Sequence, residues 1–205
     1  MFQTFKVKVW GENACFTRPE MKVERVSYDV ITPSSARAIF ESILWKPAIK
    51  WVITQIDILN PIKYESIRRN EVSSRMSPSS TILIEENRQQ RAGLILKDVA
   101  YIIHGHFEMT SKAGQEDNPI KFTEQFLKRL QKGQCHYQPY LGCREFTAYF
   151  SVPDEIKDKL INENRDLGWM LYDIDFENNM QAKFFRAEIK NGSIITDPKV
   201  CGVLS

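Results

Sequence analysis

The sequence lacks the residue patterns that mark several common classes of site. Its four cysteines, Cys15, Cys135, Cys143 and Cys201, contain no C-x-x-C pair. A zinc site built on Cys135 and Cys143, with His136 beside the first, would need more ligands at better spacing. No apolar run approaches the roughly 18–20 residues that cross a bilayer, and the N-terminus has no signal-peptide pattern. We therefore expect no metal, no cofactor, no membrane contact, reduced thiols and a cytoplasmic location.

The chain also lacks a strong surplus of either charge. Its 28 basic and 26 acidic residues give a formal net charge of +2. The charges are unevenly placed, because residues 1–75 carry 12 Lys and Arg against 8 Asp and Glu, whereas residues 151–180 carry 3 against 8. A chain polarised in this way can present a basic face even when its total charge is nearly neutral.

Periodicity predicts two helices and at least four strands in the first 150 residues. One helix spans residues 33–45 after a Thr32 N-cap, and the other, capped by Asn118-Pro119, spans residues 120–130 and stops at Gly133. Strands are predicted for residues 5–10 (with a break at 11–13), 50–59, 94–109 and 145–150, and a short extended piece for 81–86. The resulting order β–α–β–β–α–β is that of the ferredoxin-like split βαβ unit, which RNA-recognition domains share with many unrelated proteins.

We therefore predict an α+β protein of two parts. Residues 1–150 form a ferredoxin-like (RRM-like) βαββαβ domain with a β-hairpin insertion between its middle strands. Residues 151–205 form a small C-terminal antiparallel β-sheet subdomain. In that subdomain, Asn191-Gly192 is a strong hairpin turn that would pair residues 193–196 back onto the preceding strand.

The most informative polar stretch is Ile67 to Arg75. It contains the adjacent pair Arg68 and Arg69 and, six residues on, Arg75. The guanidinium group is planar, permanently charged and able to bind phosphate oxygens in a bidentate manner. A short basic run on a loop is nevertheless more typical of solvated surface, so charge alone does not assign a phosphate site here.

Further residues extend this predicted surface. Arg88 and Arg91 lie on a second polar segment that a hairpin would bring beside the first. Tyr28 and Tyr64 are predicted to stack on unpaired bases, as aromatic side chains do in single-stranded RNA recognition. The surface is further extended by Lys8, Lys22 and Arg25. The alternative for each charged residue is an exposed side chain without a partner.

Several segments, taken in their order along residues 5–150, resemble a known family. Together they resemble the CRISPR-associated Cas-five proteins of subtype I-C (the Dvulg type), within the superfamily of repeat-associated RNA-processing proteins. The matching segments are Val7–Gly11, Cys15–Thr17, Glu41–Pro47, Ile67–Val72, Arg88–Arg91, Leu96–Tyr101, His106–Glu108 and Leu141–Phe146.

The resemblance implies a function. Such proteins bind the hairpin repeat of the CRISPR precursor transcript, cut it at the base of the hairpin, and hold the 5′ handle of the guide RNA among the other subunits of the interference complex. Cleavage is metal-independent, because the 2′-OH of the substrate attacks the adjacent phosphate and leaves a 2′,3′-cyclic phosphate. This chemistry needs in-line geometry, a base, an acid and a cation beside the phosphorane.

The resemblance also implies where the catalytic residues lie. In the family that the chain resembles, the described site uses a tyrosine at the end of the first helix and a Lys-His pair just before the second. Lys121 matches the lysine, whereas Leu44 and Phe122 occupy the tyrosine and histidine positions. His136, in the loop after the second helix, is a candidate substitute, because an imidazole side chain can act as an acid or a base in proton transfer. The predicted catalytic residues are therefore Lys121 and His136.

Two other functions stay open. The substitutions at Leu44 and Phe122 favour a non-catalytic RNA-binding subunit that caps the 5′ end of the guide. A weaker alternative is duplex-DNA binding through the same basic face, which would show steep salt dependence and no sequence preference. His104 and His106 share one face of a strand by their spacing, and we interpret them as structural hydrogen-bonding residues.

Overall fold

A computed structural model of the chain describes residues 3–21, 23–78, 81–176 and 178–204. A short 3₁₀ turn spans Pro19–Met21. The strands and helices are, in chain order, β1 (Phe5–Ala14), β2 (Arg25–Val26), α1 (Pro33–Ile43), β3 (Ile49–Ile58), β4 (Tyr64–Val72), α2 (Ile84–Asn87), β5 (Arg88–Met109), α3 (Pro119–Gln131), β6 (Tyr149–Ser151), β7 (Arg165–Asp175), β8 (Gln181–Ile189) and β9 (Ser193–Ile195).

Strand β5 is the spine of the larger sheet. Its N-terminal half pairs antiparallel with β4 and briefly parallel with β2, and its C-terminal half lies between β1 and β3. Within the described residues this sheet has seven strands, with the central order β6-β1-β5-β3-β9. Strands β7 and β8 form a separate antiparallel pair. The protein is therefore a mixed α/β structure built on an antiparallel sheet.

An aromatic cluster joins the two long helices to one face of this sheet. The ring of Phe126 on α3 lies 5.0 Å from Phe5, 4.6 Å from Trp51 and 5.4 Å from Phe40 of α1, measured between centroids. All four side chains are buried. Full burial of such a side chain contributes about 2–3 kcal/mol, so this cluster is a main source of the stability of the fold.

Both predicted long helices are confirmed, together with their N-caps. The Thr32 hydroxyl accepts a hydrogen bond from the Ser35 amide at 3.3 Å, and the Asn118 side chain accepts one from the Ile120 amide at 2.9 Å. These bonds satisfy amides that have no partner within the helix. Gly133, with φ of +63°, follows α3 in the left-handed conformation that ends many helices.

The N-terminal strands differ from the prediction in two places. Strand β1 runs through residues 11–13 to Ala14 without the predicted break. Position 11 packs closely against Leu141 and requires a glycine, since a Cβ atom would lie 2.5 Å from the Leu141 side chain. Residues 81–86, predicted to be extended, contain the start of the short helix α2, and the polar residues from Arg88 onward begin β5.

The C-terminal pairing also differs. The turn at Asn191-Gly192 is confirmed, because Lys190 and Ser193 form an antiparallel bridge across it. The next strand, β9, pairs with β3 in the larger sheet, so the prediction that it pairs back onto the preceding strand was wrong. Ile194 of β9 is buried in the shared core, and this burial favours pairing of β9 with β3. The division into residues 1–150 and 151–205 stays a prediction.

Gly142 and Gly133 provide a matched test of close packing beside β1. Both have positive φ, but a Cβ atom at Gly142 would lie 2.0 Å from the Cys15 carbonyl oxygen, whereas none of the described atoms lies within 4 Å of one at Gly133. We expect Gly133→Ala to lower the free energy of unfolding by about 1–2 kcal/mol, from backbone strain alone. Gly142→Ala should cost about 3 kcal/mol or more. Equal losses in urea unfolding would contradict this packing.

Candidate nucleic-acid interface

The segments that carry the predicted RNA-binding arginines form one antiparallel ribbon. Strand β4 pairs with the start of β5, so that Arg69 lies opposite Arg91 and Val72 lies opposite Arg88. The predicted hairpin is therefore confirmed. The prediction that these arginines lie on loops was wrong for four of them, and only Arg75 lies outside a strand.

The ribbon divides the arginines between its two faces. Successive side chains of a strand point to opposite faces, and directly opposed residues share a face. Arg68 therefore shares a face with Tyr64 and Arg88, which we call the outer face. Arg69 and Arg91 lie together on the other side, which we call the inner face.

The inner face is held by a network of ion pairs. Arg91 lies 3.3 Å from Glu71, and Arg25 lies 3.6 Å from the same carboxylate. Arg25 also pairs with Glu145 at 3.2 Å, and Arg69 binds that carboxylate too. These bonds tie the ribbon to the loop before β6, so a structural role accounts for the inner arginines.

The outer face has no comparable network. Arg68, Arg88 and Arg75 are exposed, and none has a carboxylate partner among the residues that the structure describes. Tyr64 is 42% exposed. Partial burial and a hydrogen bond to the Asp29 carboxylate raise the pKa of the Tyr64 hydroxyl, so it stays protonated and directs its proton to Asp29. These residues provide a polar and cationic surface that is open to a ligand.

Tyr28 does not belong to this surface. Its side chain is 1% exposed, its hydroxyl accepts a hydrogen bond from the Leu171 amide at 3.2 Å, and the Arg18 guanidinium lies 4.6 Å from its ring centroid. Neither ring face is open to a base, so the stacking prediction for Tyr28 is not retained. Lys22, another predicted surface residue, lies outside the described residues.

The family's tyrosine and histidine positions lie in the core. Leu44 and Phe122 are 0% and 2% exposed, so both apolar side chains serve packing. Lys121 is exposed in the first turn of α3, and His136 is exposed after the same helix, with its amide bound to the Ser42 carbonyl at 2.7 Å. In the described structure no recorded contact joins Lys121 to His136, and their catalytic roles stay predictions.

The C-terminal end of α1 is well anchored next to His136. Three successive carbonyls, at residues 42–44, accept hydrogen bonds from the His136 amide, the Arg129 guanidinium at 2.7 Å and the Trp51 indole at 2.8 Å. A helix end leaves such carbonyls without helical partners, so these bonds fix the backbone around the end of α1. His136 is therefore an exposed ring on a rigid support.

Asp57 is a buried hub that sequence analysis missed. Its carboxylate accepts hydrogen bonds from Gln55 at 2.7 Å and Ser193 at 2.6 Å, and lies 2.7 Å from His104 Nε2. Burial raises the pKa of Asp57, but the hydrogen bonds from His104, Gln55 and Ser193 outweigh it and hold the pKa below its usual value. A single acidic residue within a β-branched strand is the sequence signal that would have revealed this site.

The described residues were also compared with the requirements of a metal site and of a membrane-spanning helix. No group of three or more His, Cys, Asp or Glu side chains in these residues is arranged to hold a metal ion. In the same part of the chain, no helix combines the length and the apolar character needed to cross a bilayer.

A solved structure shares the fold of this chain, and a family model identifies the family. A solved structure described as a CRISPR-associated protein superposes with a TM-score of 0.75, at 22% sequence identity, over 100% of this chain and 97% of its own. The family model described as CRISPR-associated protein (Cas_Cas5), Cas_Cas5d, matches residues 4–196. The chain therefore belongs to the Cas5d family.

Two curated relatives agree with this assignment. The chain is 51% identical over 217 residues to the CRISPR pre-crRNA endoribonuclease Cas5d of Mannheimia succiniciproducens, covering 97% of this chain and 96% of the relative. It is 50% identical over 172 residues to the protein of the same name from Thermus thermophilus, covering 83% of this chain and 73% of the relative. The family resemblance predicted from the sequence is confirmed.

The Asp57 hub generates a pH-dependent prediction. Because its folded-state pKa is lowered, ionised Asp57 stabilises the fold above its unfolded pKa, and this stability is lost as pH falls through the folded pKa. At pH 7, Asp57→Asn should lower the free energy of unfolding by about 1–3 kcal/mol, and the difference from wild type should shrink toward pH 3. Asp98→Asn, at an exposed carboxylate, is the control and should change stability by less than about 0.5 kcal/mol. A pH-independent loss in Asp57→Asn would contradict the assignment.

Proposed function

We propose that this chain binds the hairpin repeat of a CRISPR precursor transcript, cleaves it as an endoribonuclease, and then retains the 5′ handle of the guide RNA within a multisubunit interference complex. The observation that carries this proposal is the 51% identity, over 97% of the chain, to a protein named as a pre-crRNA endoribonuclease. The other subunits of the complex are its protein partners, and its site of action is the cytoplasm.

The fold supports a finer structural proposal. Strands β6, β1, β5 and β3 are neighbours in that order and pair antiparallel, α1 connects β1 to β3, and α3 connects β5 to β6. We assign this core to the ferredoxin-like type, with the β4–β5 ribbon as its insertion and residues 151–205 as a subdomain. The ribbon then projects from a rigid core, where it can contact RNA.

The outer face of the ribbon is the proposed RNA-binding surface. Arg68, Arg75 and Arg88 are free to neutralise phosphates, because no carboxylate of the described residues competes for them. Tyr64 is placed on the same face to contact an unpaired base. Arg69 and Arg91 belong to the inner network and act on RNA only indirectly, by holding the ribbon in place.

The proposed chemistry is an internal transesterification. The 2′-oxygen forms a bond to the adjacent phosphorus as the bond from phosphorus to the 5′-oxygen breaks, which leaves a 2′,3′-cyclic phosphate and a 5′-hydroxyl. A base accepts the 2′-OH proton and an acid protonates the departing oxygen. We assign one proton transfer to His136 and phosphorane stabilisation to Lys121, and the reaction needs no metal ion.

A second function is favoured by one observation. The family's tyrosine and histidine positions hold Leu44 and Phe122, which are buried apolar residues unable to transfer protons. This favours a non-catalytic subunit that binds the guide RNA through the same outer face. Duplex-DNA binding by that face is a weaker third alternative, because the same unpaired cations would neutralise phosphates of either nucleic acid.

Incubation of the purified protein with its cognate repeat RNA in excess EDTA separates the two main functions. We expect one cut at the base of the hairpin, with a cyclic-phosphate end detected by mass spectrometry. Lys121→Ala and His136→Ala should each slow single-turnover cleavage by about 100-fold while RNA affinity changes little. Lys190→Ala, at an exposed lysine that pairs with Glu188, is the control. Intact RNA despite tight binding would establish the non-catalytic function, and unchanged rates in both variants would refute their assignment.

A further inference from the structure

An aromatic pair, with one half-buried and one exposed ring, lies on the face of the sheet opposite the long helices. Trp10 on β1 is directly opposite Tyr149 on β6, and their rings are 6.0 Å apart between centroids and inclined by 27°. Phe5, Val7 and Val9 point toward the helices, so Trp10 points away from them. Tyr149 is 55% exposed. The exposed Tyr149 ring is therefore open to solvent and stacks on the half-buried Trp10 ring.

Cations lie along the same row of β1. Lys6, Lys8 and Trp10 alternate with the buried residues, and neighbours in the row are about 7 Å apart. The Lys8 ammonium lies 5.6 Å from the Trp10 ring centroid and is held there by Asp158. Lys6 is exposed and has no carboxylate partner among the described residues, and Glu12 ends the row.

The neighbours of Trp10 are small on one side of it and are Lys8 and Tyr149 on the others. Its neighbour on β5 is Ala100, a small residue, and no large side chain of that strand is opposed to it. Both α1 and α3 pack on the far side of the sheet through Phe40 and Phe126. An aromatic surface beside cations is the arrangement that binds single-stranded nucleic acid, since bases stack on the rings and the cations neutralise the backbone.

We propose that Tyr149, supported by the stacked Trp10 ring, forms a stacking site for an unpaired base in the single-stranded flank of the repeat RNA, with Lys6 available to the RNA backbone on the same face. The site lies on the core sheet and is distinct from the ribbon's outer face. The proposal rests on the RNA-binding function proposed above and adds to it a second contact, specific for unpaired nucleotides.

The test compares two RNAs, the repeat hairpin with its flanks and the same hairpin trimmed to its stem and loop. Both carry 2′-deoxy nucleotides at the base of the stem so that cleavage cannot occur. Tyr149→Ala should weaken binding of the flanked RNA about 5- to 100-fold and leave the trimmed hairpin unaffected. Tyr149→Phe should retain affinity, because it keeps the ring. Trp169→Ala is the matched control, because Trp169 on β7 is 49% exposed. This substitution should change the affinity for neither RNA.

Fluorescence gives a second readout. Base stacking should quench Trp10 emission when the flanked RNA binds, and Trp10→Phe should remove this quench while keeping affinity within a few-fold. A quench that persists in Trp10→Phe would overturn the stacking site. So would an equal loss of affinity for the flanked and the trimmed RNA in Tyr149→Ala. Unchanged RNA binding in Tyr149→Ala with lost association of another subunit would also overturn it and would assign the surface to a protein.

The same measurements separate this site from the function on which it rests. Wild-type protein that binds neither RNA would contradict the proposed function itself. Wild-type protein that binds both RNAs equally well would retain that function and refute the stacking site alone.

Discussion

The pairing of β5 with its neighbours is the constraint on which the rest of the structure depends. This strand contacts β4 and β2 through its N-terminal half and β1 and β3 through its C-terminal half. The two-residue alternation of a strand then fixes which side chains face the helices and which face solvent. A shift of one residue would bury Arg68 in place of Arg69 and would remove Phe107 from the aromatic core.

This alternation explains why adjacent arginines have different roles. Arg69 is directed toward Glu145 and the loop before β6, whereas Arg68 is directed toward solvent. Exposed cations without partners are available to phosphates at little cost, because no ion pair has to be broken. The partner carboxylate of Arg69 is distant in sequence, so only the folded chain distinguishes the two arginines.

Local sequence was enough to predict the elements whose signals are local. Thr32 and Asn118 mark the starts of α1 and α3 through bonds to amides two or three residues on. The pairing of β9 with β3 and the extension of β5 through Arg88 depend on contacts between distant segments. Propensity could not reveal them, because polar residues such as Arg88 gain strand structure from the ladder with β4.

The candidate site was predicted only in part, for similar reasons. Charge and residue type pointed to the arginines but could not place them on faces, and the Tyr28 prediction failed because a tyrosine in a short extended segment carries no sign of burial. The family resemblance identified Lys121, and the structure adds that Leu44 and Phe122 are core residues. Any acid–base chemistry must therefore use side chains outside the two positions that the family pattern marks.

The central claim is that the outer face of the ribbon binds RNA while the inner face holds the ribbon in place. The most direct measurement compares Arg68→Ala/Arg88→Ala with Arg69→Ala/Arg91→Ala, recording thermal unfolding and the salt dependence of repeat-RNA binding for both. We expect Arg68→Ala/Arg88→Ala to lower the slope of log K against log salt concentration by about 2 and to leave the unfolding midpoint unchanged. We expect Arg69→Ala/Arg91→Ala to lower the unfolding midpoint and to change the salt slope by less. A lower unfolding midpoint in the outer pair, together with a larger change of slope in the inner pair, would contradict these two roles.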